Sequence, residues 1–344
     1  MPVRPFGRRA VLGRRVLLVA PLLLAGALGA TVGTGTASDP RAAWAMDASA
    51  PHPRVSASRK GHLTDHVIII SIDGLRPDAI EQFGAATLKR LMREGTFSLS
   101  AQTILPSRTL PSHTSMLTGV GADQHGITWN SDEVEELGHV GVPTVFGLAK
   151  DRGLTTAAFF SKTKFHHLEV PNTIDYARSP DGGLLDSRWY ADRMVHEVSR
   201  YLRGDAPAPN LMFVHIGEPD YAGHLFGWMG RVYGNAVRRA DGAVARVVAD
   251  AEARLGRGNF TVIVTADHGG HDKTHGSSDP RDTTIPWIVW GRGVIPGAEL
   301  AVGIRTMDTA ATALWLLGVA APTGWVGHPV ERAFRPGMTE IAIP

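Results

Sequence analysis

Four stretches of this chain run toward an Asp, a His or a Thr, three of them straight out of apolar, β-branched segments. Residues 67–74 read VIIISIDG and carry Asp73. A second stretch, from about residue 98, reaches Thr109. Residues 211–224 read LMFVHIGEPDYAGH and carry Asp220 and His224. Residues 260–270 read FTVIVTADHGG and carry Asp267 and His268. In an open parallel sheet, residues just past the strand C-termini gather on one edge, so these side chains can meet in one site. Carboxylates mixed with imidazoles suit divalent ions such as zinc or manganese. The chemistry expected is metal-dependent hydrolysis.

Each motif has a plainer reading when taken alone. Thr109 stands at the start of an expected short helix, where exposed N–H groups and the dipole favour negative charge. It would serve there as a nucleophile or as an ordinary N-cap. Asp220 and His224 are four apart and share a face if helical, as metal ligands or as a surface ion pair. Asp267-His268-Gly269-Gly270 is more specific, because two ligand types emerge where the chain must turn sharply. Asn130 ends the run Gly126-Ile-Thr-Trp-Asn130, as a phosphoryl donor or as a turn residue. Glu218 lies close enough to orient a ligand. His113 reads as packing at the helix start, and His166 and His167 read as loop histidines. Trp129 and Tyr221 suit a pocket wall or the core. Asp241 reads as a local cap or ion pair.

The elements that must position these residues alternate. Strands are expected at residues 67–72, 98–105, 155–160, 211–216, 260–265 and 285–290. Helices are expected at 78–94, after Pro111 to Gly119, at 142–152, 185–202, within 230–255, and at 306–317. Val237, Ala240, Val244, Val247, Val248, Ala251 and Leu255 recur at helical spacing in the longest of them. Such alternation argues an α/β domain with a mostly parallel sheet.

Taken together, T-x-P-x-H from Thr109, the following T-G, His125-Gly-Ile127, D-x-x-x-H and D-H-G resemble the alkaline phosphatase superfamily. The resemblance spans roughly residues 66–330 and is nearest to the nucleotide pyrophosphatase/phosphodiesterase branch, in a small bacterial form. It implies a three-layer α/β/α fold and two divalent ions, zinc or else manganese. Asp73, Thr109, Asp267 and His268 would hold one ion. Asp220, His224 and a third histidine would hold the other. His275 is preferred for that place, with His271 as the alternative. Asn130 would bond a phosphoryl oxygen, and Thr109 would attack phosphorus to give a phospho-threonine. Asn130 is neutral and Arg108 is the only arginine adjoining the nucleophile, so diesters or nucleotide pyrophosphates are expected to outcompete monoesters. A phosphomonoesterase or a phosphonate hydrolase uses nearly the same metal set. A sulfatase does not fit, because Thr109-Leu-Pro-Ser-His113 lacks both the modifiable Cys or Ser and the arginine of that motif. A non-catalytic metal-binding module would tolerate gaps that this chain does not have.

Composition bounds the rest. The 344 residues suffice for one large α/β domain and include no cysteine, which excludes disulfides, thiolate sites and a cysteine-linked lipid anchor. Arg4, Arg8, Arg9, Arg14 and Arg15 precede an apolar run over residues 16–30, and Arg8-Arg9-Ala10-Val11-Leu12 resembles a twin-arginine export signal. Ala43-Trp44-Ala45 offers a cleavage site. The expected layout is an export signal over residues 1–45, a flexible linker over 46–65 and a catalytic domain over 66–344. Residues 1–45 hold six of the 35 basic residues and one of the 33 acidic ones, so the remainder has 29 against 32, a net charge of −3. The sequence pI of about 9.0 therefore owes its height to the signal. No nucleic-acid surface is expected, nor a stable membrane anchor once the signal is cleaved. The partner expected is a small phosphate ester, and no signal for an oligomeric state is present.

Overall fold

The computed structural model describes residues 62–182, 187–301 and 303–336. The expected export signal lies outside them, as do residues 46–61 of the expected linker. Residues 62–65 already touch the domain: Leu63 and Thr64 are buried, and the Leu63 N–H donates to the Leu316 carbonyl at 2.9 Å.

Among the described residues, eight strands form one sheet: β1 (His66–Ile72), β2 (Thr96–Gln102), β3 (Thr156–Phe159), β4 (Tyr176–Arg178), β5 (Leu211–Ile216), β6 (Phe260–Thr265), β7 (Thr284–Gly291) and β8 (Ala298–Glu299). Their order is β4-β3-β5-β1-β6-β7-β2-β8. β7 is antiparallel to both its neighbours and every other pairing is parallel, so the sheet is mostly parallel as expected. β1, β5 and β6 are apolar and buried along almost their whole length, which requires cover on both faces. Register sets the site: Ile72 pairs with Ile216 and Ser71 with Thr265, so the three central strands end level. β2 points the same way although it lies beyond β7, and it delivers its loop to the same edge.

The α-helices in chain order are α1 (Pro77–Gln82), α2 (Ala86–Glu94), α3 (Thr109–Thr118), α4 (Ala122–His125), α5 (Val134–Leu137), α6 (Val145–Asp151), α7 (Ala191–Arg203), α8 (Glu218–Phe226), α9 (Arg231–Leu255), α10 (Pro280–Thr283) and α11 (Asp308–Leu316). α1, α2, α7, α8 and α9 pack together as one layer, and α3, α6 and α11 form the other. The result is the three-layer α/β/α fold. Among the described residues no helix is long and apolar enough to cross a membrane.

Several boundaries differ from expectation for local reasons. The helix expected at 78–94 is two helices, broken where Gly84 takes φ +66°. The strand expected at 98–105 is β2, which starts and ends earlier because its pairing with β7 runs from Thr96 to Gln102. The helix at 142–152 shortens to α6, capped by Thr144, whose hydroxyl accepts from Gly147 N–H. Of the helix expected at 185–202, residues 185 and 186 lie outside the described residues, and the helix found is α7. The helix expected after Pro111 begins at Thr109, so Thr109 is its first helical residue and Arg108 is its N-cap. α3 ends as expected at Gly119, whose φ is +68°; a Cβ there would lie 2.1 Å from Trp325.

Asp241 is neither a local cap nor a local pair. From α9 it reaches across the layer and accepts from Thr87 N–H at 3.0 Å and Leu88 N–H at 2.8 Å. It thus caps α2, whose own N-cap residue makes no side-chain bond. Asp241→Ala should lower stability by about 1–2 kcal/mol, read as a lower urea midpoint at unchanged slope, and Asp241→Asn should lose less. An unchanged midpoint for the alanine variant would show that the two N–H groups need no cap.

Candidate metal centre

The end of β1 and the start of α8 are tied together at Asp73. Its N–H continues the ladder to the Ile216 carbonyl at 3.0 Å, and its carbonyl accepts from Asp220 N–H at 3.1 Å. Gly74 follows with φ +72°, and a Cβ there would come within 3.1 Å of the Asp220 Cα. The turn therefore needs glycine both for its backbone and for the approach of Asp220. Asp267, just beyond β6, fixes the third side: its Oδ1 accepts from Gly74 N–H at 3.1 Å and His268 N–H at 3.0 Å.

Three imidazoles are aimed by the backbone. The Nδ1 atoms of His268, His275 and His224 lie 2.8, 2.8 and 3.1 Å from the carbonyls of Gly269, Ser107 and Lys273. Only a donor suits a carbonyl, so Nδ1 carries the proton and Nε2 offers its lone pair inward, the arrangement of a metal-ligating histidine. His268 Nε2 lies 3.2 Å from Asp267 Oδ2, 3.4 Å from Asp73 Oδ1 and 3.5 Å from Thr109 Oγ1. A second trio adjoins the first. His224 Nε2 is 3.2 Å from Asp220 Oδ1 and 3.1 Å from His275 Nε2, and His275 Nε2 is 3.7 Å from Asp220 Oδ1. The rings of His268 and His275 stack with centroids 3.6 Å apart, which joins the two trios.

His271, the alternative third histidine, points elsewhere. Its Nδ1 bonds Asp282 Oδ1 at 2.7 Å, and Asp282 also accepts from the Ser277 N–H and hydroxyl. That network shapes the loop between β6 and β7 and leaves His275 at the edge where Asp220 stands.

The electrostatics of the cluster are lopsided. Asp73, Asp220 and Asp267 are all buried, and one oxygen of each has no hydrogen-bond partner: Asp73 Oδ1, Asp220 Oδ1 and Asp267 Oδ2. These are the oxygens that face the inward Nε2 atoms. Leaving such groups bare is costly, and the donor set of hard carboxylates with imidazoles fits divalent zinc or manganese. The opposite oxygens of Asp73 and Asp220 are occupied by a residue that reasoning from the sequence missed. Lys162 Nζ lies 2.5 Å from Asp73 Oδ2 and 2.6 Å from Asp220 Oδ2. His215 Nε2 adds a contact to Asp73 Oδ2 at 2.9 Å.

The protonation pattern follows. Burial would raise Asp73, but Lys162 and His215 outweigh it and hold the carboxyl well below its usual range. Burial and the charge of Asp73 push Asp220 up, and Lys162 and His224 more than reverse this. Asp267 has no such partner, and burial beside Asp73 drives it well above the usual carboxylate range. Burial, helped by His268, lowers His275 to about 3, which keeps its ring neutral. The Asp220 carboxylate, 3.2 Å from its Nε2, raises His224.

The nucleophile candidate opens α3, and its polar neighbours come from other segments. Asn130 Oδ1 accepts from Leu110 N–H at 3.0 Å, which fixes the amide so that its Nδ2 is the free end. The Leu110 N–H is thereby engaged. Lys164, also missed, places Nζ 3.0 Å from the same Oδ1 and 3.3 Å from the Asn130 carbonyl. The absence of a nearby cation, on which the expected diester preference rested, is therefore corrected. Arg108 is exposed and lies over Gly276. Lys162 and Lys164 follow β3 in the run Ser161-Lys-Thr-Lys164. That is one more strand end on the same edge, passed over because it holds no Asp, His or Thr ligand pattern.

The remaining candidates have structural partners. His113 joins the Ser71 hydroxyl to the Thr109 carbonyl at 2.8 Å each. Glu218 does not orient a ligand: it accepts from Ala191 N–H at the head of α7 and pairs with Arg239. His167 is not a loop residue but is buried in a 3-10 helix (Thr163–Leu168), 2.9 Å from the Thr114 hydroxyl. His166 pairs with Asp132. Tyr221 is buried and donates to the Ser161 carbonyl at 2.9 Å, and Trp129 packs against the core and the His167 ring.

Comparison with known proteins agrees with this architecture. The murine ectonucleotide pyrophosphatase / phosphodiesterase 5 superposes with a TM-score of 0.65 at 14% identity, covering 78% of this chain and 100% of that one. A 2-O GAG sulfatase superposes with a TM-score of 0.63 at 16% identity, covering 82% and 76%. Both likenesses show the fold. In sequence, a GPI ethanolamine phosphate transferase 1 from Emericella nidulans is 25% identical over 288 residues, 70% of this chain and 29% of that protein. A bis(5'-adenosyl)-triphosphatase from Xenopus laevis is 23% identical over 224 residues, 60% of this chain and 47% of that protein. The chain thus spans less than half the length of these relatives. The profile of type I phosphodiesterases / nucleotide pyrophosphatases matches residues 67–279. That match takes in more than half of the chain and every residue of the cluster from Asp73 to His275, and the chain belongs to the type I phosphodiesterase / nucleotide pyrophosphatase family.

Proposed function

We propose that the chain hydrolyses phosphodiester or nucleotide pyrophosphate bonds through two divalent ions and a covalent phospho-threonine on Thr109. The observation that carries this reading is the meeting of three unpartnered carboxylate oxygens with three inward-facing imidazole nitrogens beside the first residue of α3. Asp73, Thr109, Asp267 and His268 would hold one ion, and Asp220, His224 and His275 the other. Bound there, zinc or manganese supplies positive charge to the attacking and leaving oxygens.

The chain's own residues do the positioning that phosphoryl transfer requires. Thr109 Oγ1 attacks phosphorus in line, so that a bond from Oγ1 to phosphorus forms as the bond from phosphorus to the leaving oxygen breaks. The threonine proton passes to solvent, and the leaving oxygen takes one from solvent. Water then cleaves the phospho-threonine and restores the hydroxyl. The start of α3 favours the negative charge that develops on Thr109. Asn130, with Oδ1 tied to Leu110 N–H, has Nδ2 left to donate to a non-bridging oxygen. A murine relative of the same fold is described in complex with AMP, which supports a small, nucleotide-bearing phosphate ester as substrate. One observation favours a second reading, a phosphomonoesterase or phosphonate hydrolase: Lys164 stands beside Asn130 as a cation for a doubly charged group. Residues 1–45 are assigned as the export signal on the basis of the arginine-rich, apolar start of the chain, and the proposed linker is confined to 46–61, because Leu63 and Thr64 pack on the domain.

Three outcomes are expected. Thr109→Ala should keep two ions per chain and lose turnover, while Thr109→Ser keeps part of it; near wild-type hydrolysis by the alanine variant would remove the covalent step. His275→Ala should lower the metal content from two ions to one, and His271→Ala should leave it at two. The reverse pattern in elemental analysis would assign the ligand to His271. Lys162→Met should destabilise the metal-free protein by about 3–5 kcal/mol, because it strands two buried carboxylates, and added zinc should restore most of the loss. A metal-free variant that melts like the wild type would show that Lys162 does not neutralise Asp73 and Asp220.

A further inference from the structure

Among the described residues, Lys164 is a cation without a paired anion. Its Nζ reaches two neutral oxygens, both belonging to Asn130, at 3.0 and 3.3 Å. An ammonium has three N–H donors, so one is left over, and among the described residues no carboxylate pairs with it. Lys162, two residues earlier, differs: it is held by Asp73 and Asp220 and has no charge to spare for a ligand. The place of Lys164 is also specific. Asn130 Oδ1 accepts from both Lys164 and the Leu110 N–H, so a single oxygen links the ammonium to the first turn of the helix that carries Thr109. Burial, with the charge of Lys162 adding to it, depresses Lys164 to about 8, although the carboxylates of Asp73, Asp220 and Asp267 pull the other way. A half-buried ammonium with a spare donor, next to the free amide end of Asn130, is complementary to an anionic oxygen.

We propose that Lys164 is a specificity-determining residue that binds, together with Asn130 Nδ2, a charged non-bridging oxygen of the phosphoryl group. It gives the site a capacity for doubly charged groups, namely phosphate monoesters, phosphonates and the inorganic phosphate product, alongside singly charged diesters. The inference rests on the phosphoryl-transfer reading of the same site. A monoester carries roughly two negative charges near neutral pH and a diester one, and attraction to a fixed cation grows with that charge. Loss of Lys164 therefore weakens both classes but weakens monoesters more.

The test uses the zinc-loaded full chain. Titration calorimetry with inorganic phosphate should show Lys164→Met binding roughly 10- to 100-fold more weakly than the wild type, the size expected for losing a charged hydrogen bond. Lys164→Arg should keep most of the affinity. With an aryl monoester and an aryl diester, kcat/KM of Lys164→Met should fall about tenfold further for the monoester. A second measurement needs no variant: phosphate should slow the modification of Lys164 by an amine reagent in the wild type, followed by mass spectrometry. Equal phosphate affinity in Lys164→Met, equal losses for both substrates, or labelling that phosphate does not alter would overturn the proposal. If the wild type hydrolyses neither ester, the proposed function fails, and the titration and labelling still decide the role of Lys164.

Discussion

Three carboxylates buried within reach of one another are the constraint around which this structure is arranged. Asp73, Asp220 and Asp267 share a site with one close ammonium, Lys162, and one oxygen on each carboxylate has no partner. A folded protein rarely keeps such a concentration of uncompensated charge, because an unpaired buried ion costs several kcal/mol even after relaxation. Divalent cations are the natural complement. The same reasoning explains the histidines, whose outer nitrogens are fixed by backbone carbonyls so that the inner ones face the carboxylates.

The sheet makes this concentration possible. Parallel β1, β5 and β6 end level, and each releases its acidic residue at the same edge. Gly74 lets Asp220 close on Asp73. The antiparallel β7 lets the loop after β6 return along that edge, bringing His275 to His224 and Asp220 while Asp282 ties His271 away from it. β2, beyond β7, delivers the helix with Thr109.

Much of this was legible in the sequence. The strand-then-acid pattern at Asp73, Asp220 and Asp267 depends only on buried strands and their ends, and these are local signals. The joining of Asp220 to His224 followed from helical spacing. What was not legible lay in tertiary packing. Lys162 and Lys164 follow a strand of four residues, and nothing local marks a lysine as the partner of two distant aspartates. Glu218 and Asp241 looked like site and local residues because their true partners, the head of α7 and the head of α2, are remote in sequence. The break at Gly84 was missed because the apolar spacing of Ala79, Ile80, Leu88 and Leu91 also suits one continuous helix.

The proposed function requires that the cluster hold two divalent ions. Crystals of the zinc-loaded protein, with diffraction measured on both sides of the zinc absorption edge, test it directly. Two anomalous peaks per chain are expected, one among Asp73, Thr109, Asp267 and His268, the other among Asp220, His224 and His275. A single peak, or peaks away from these residues, would contradict it.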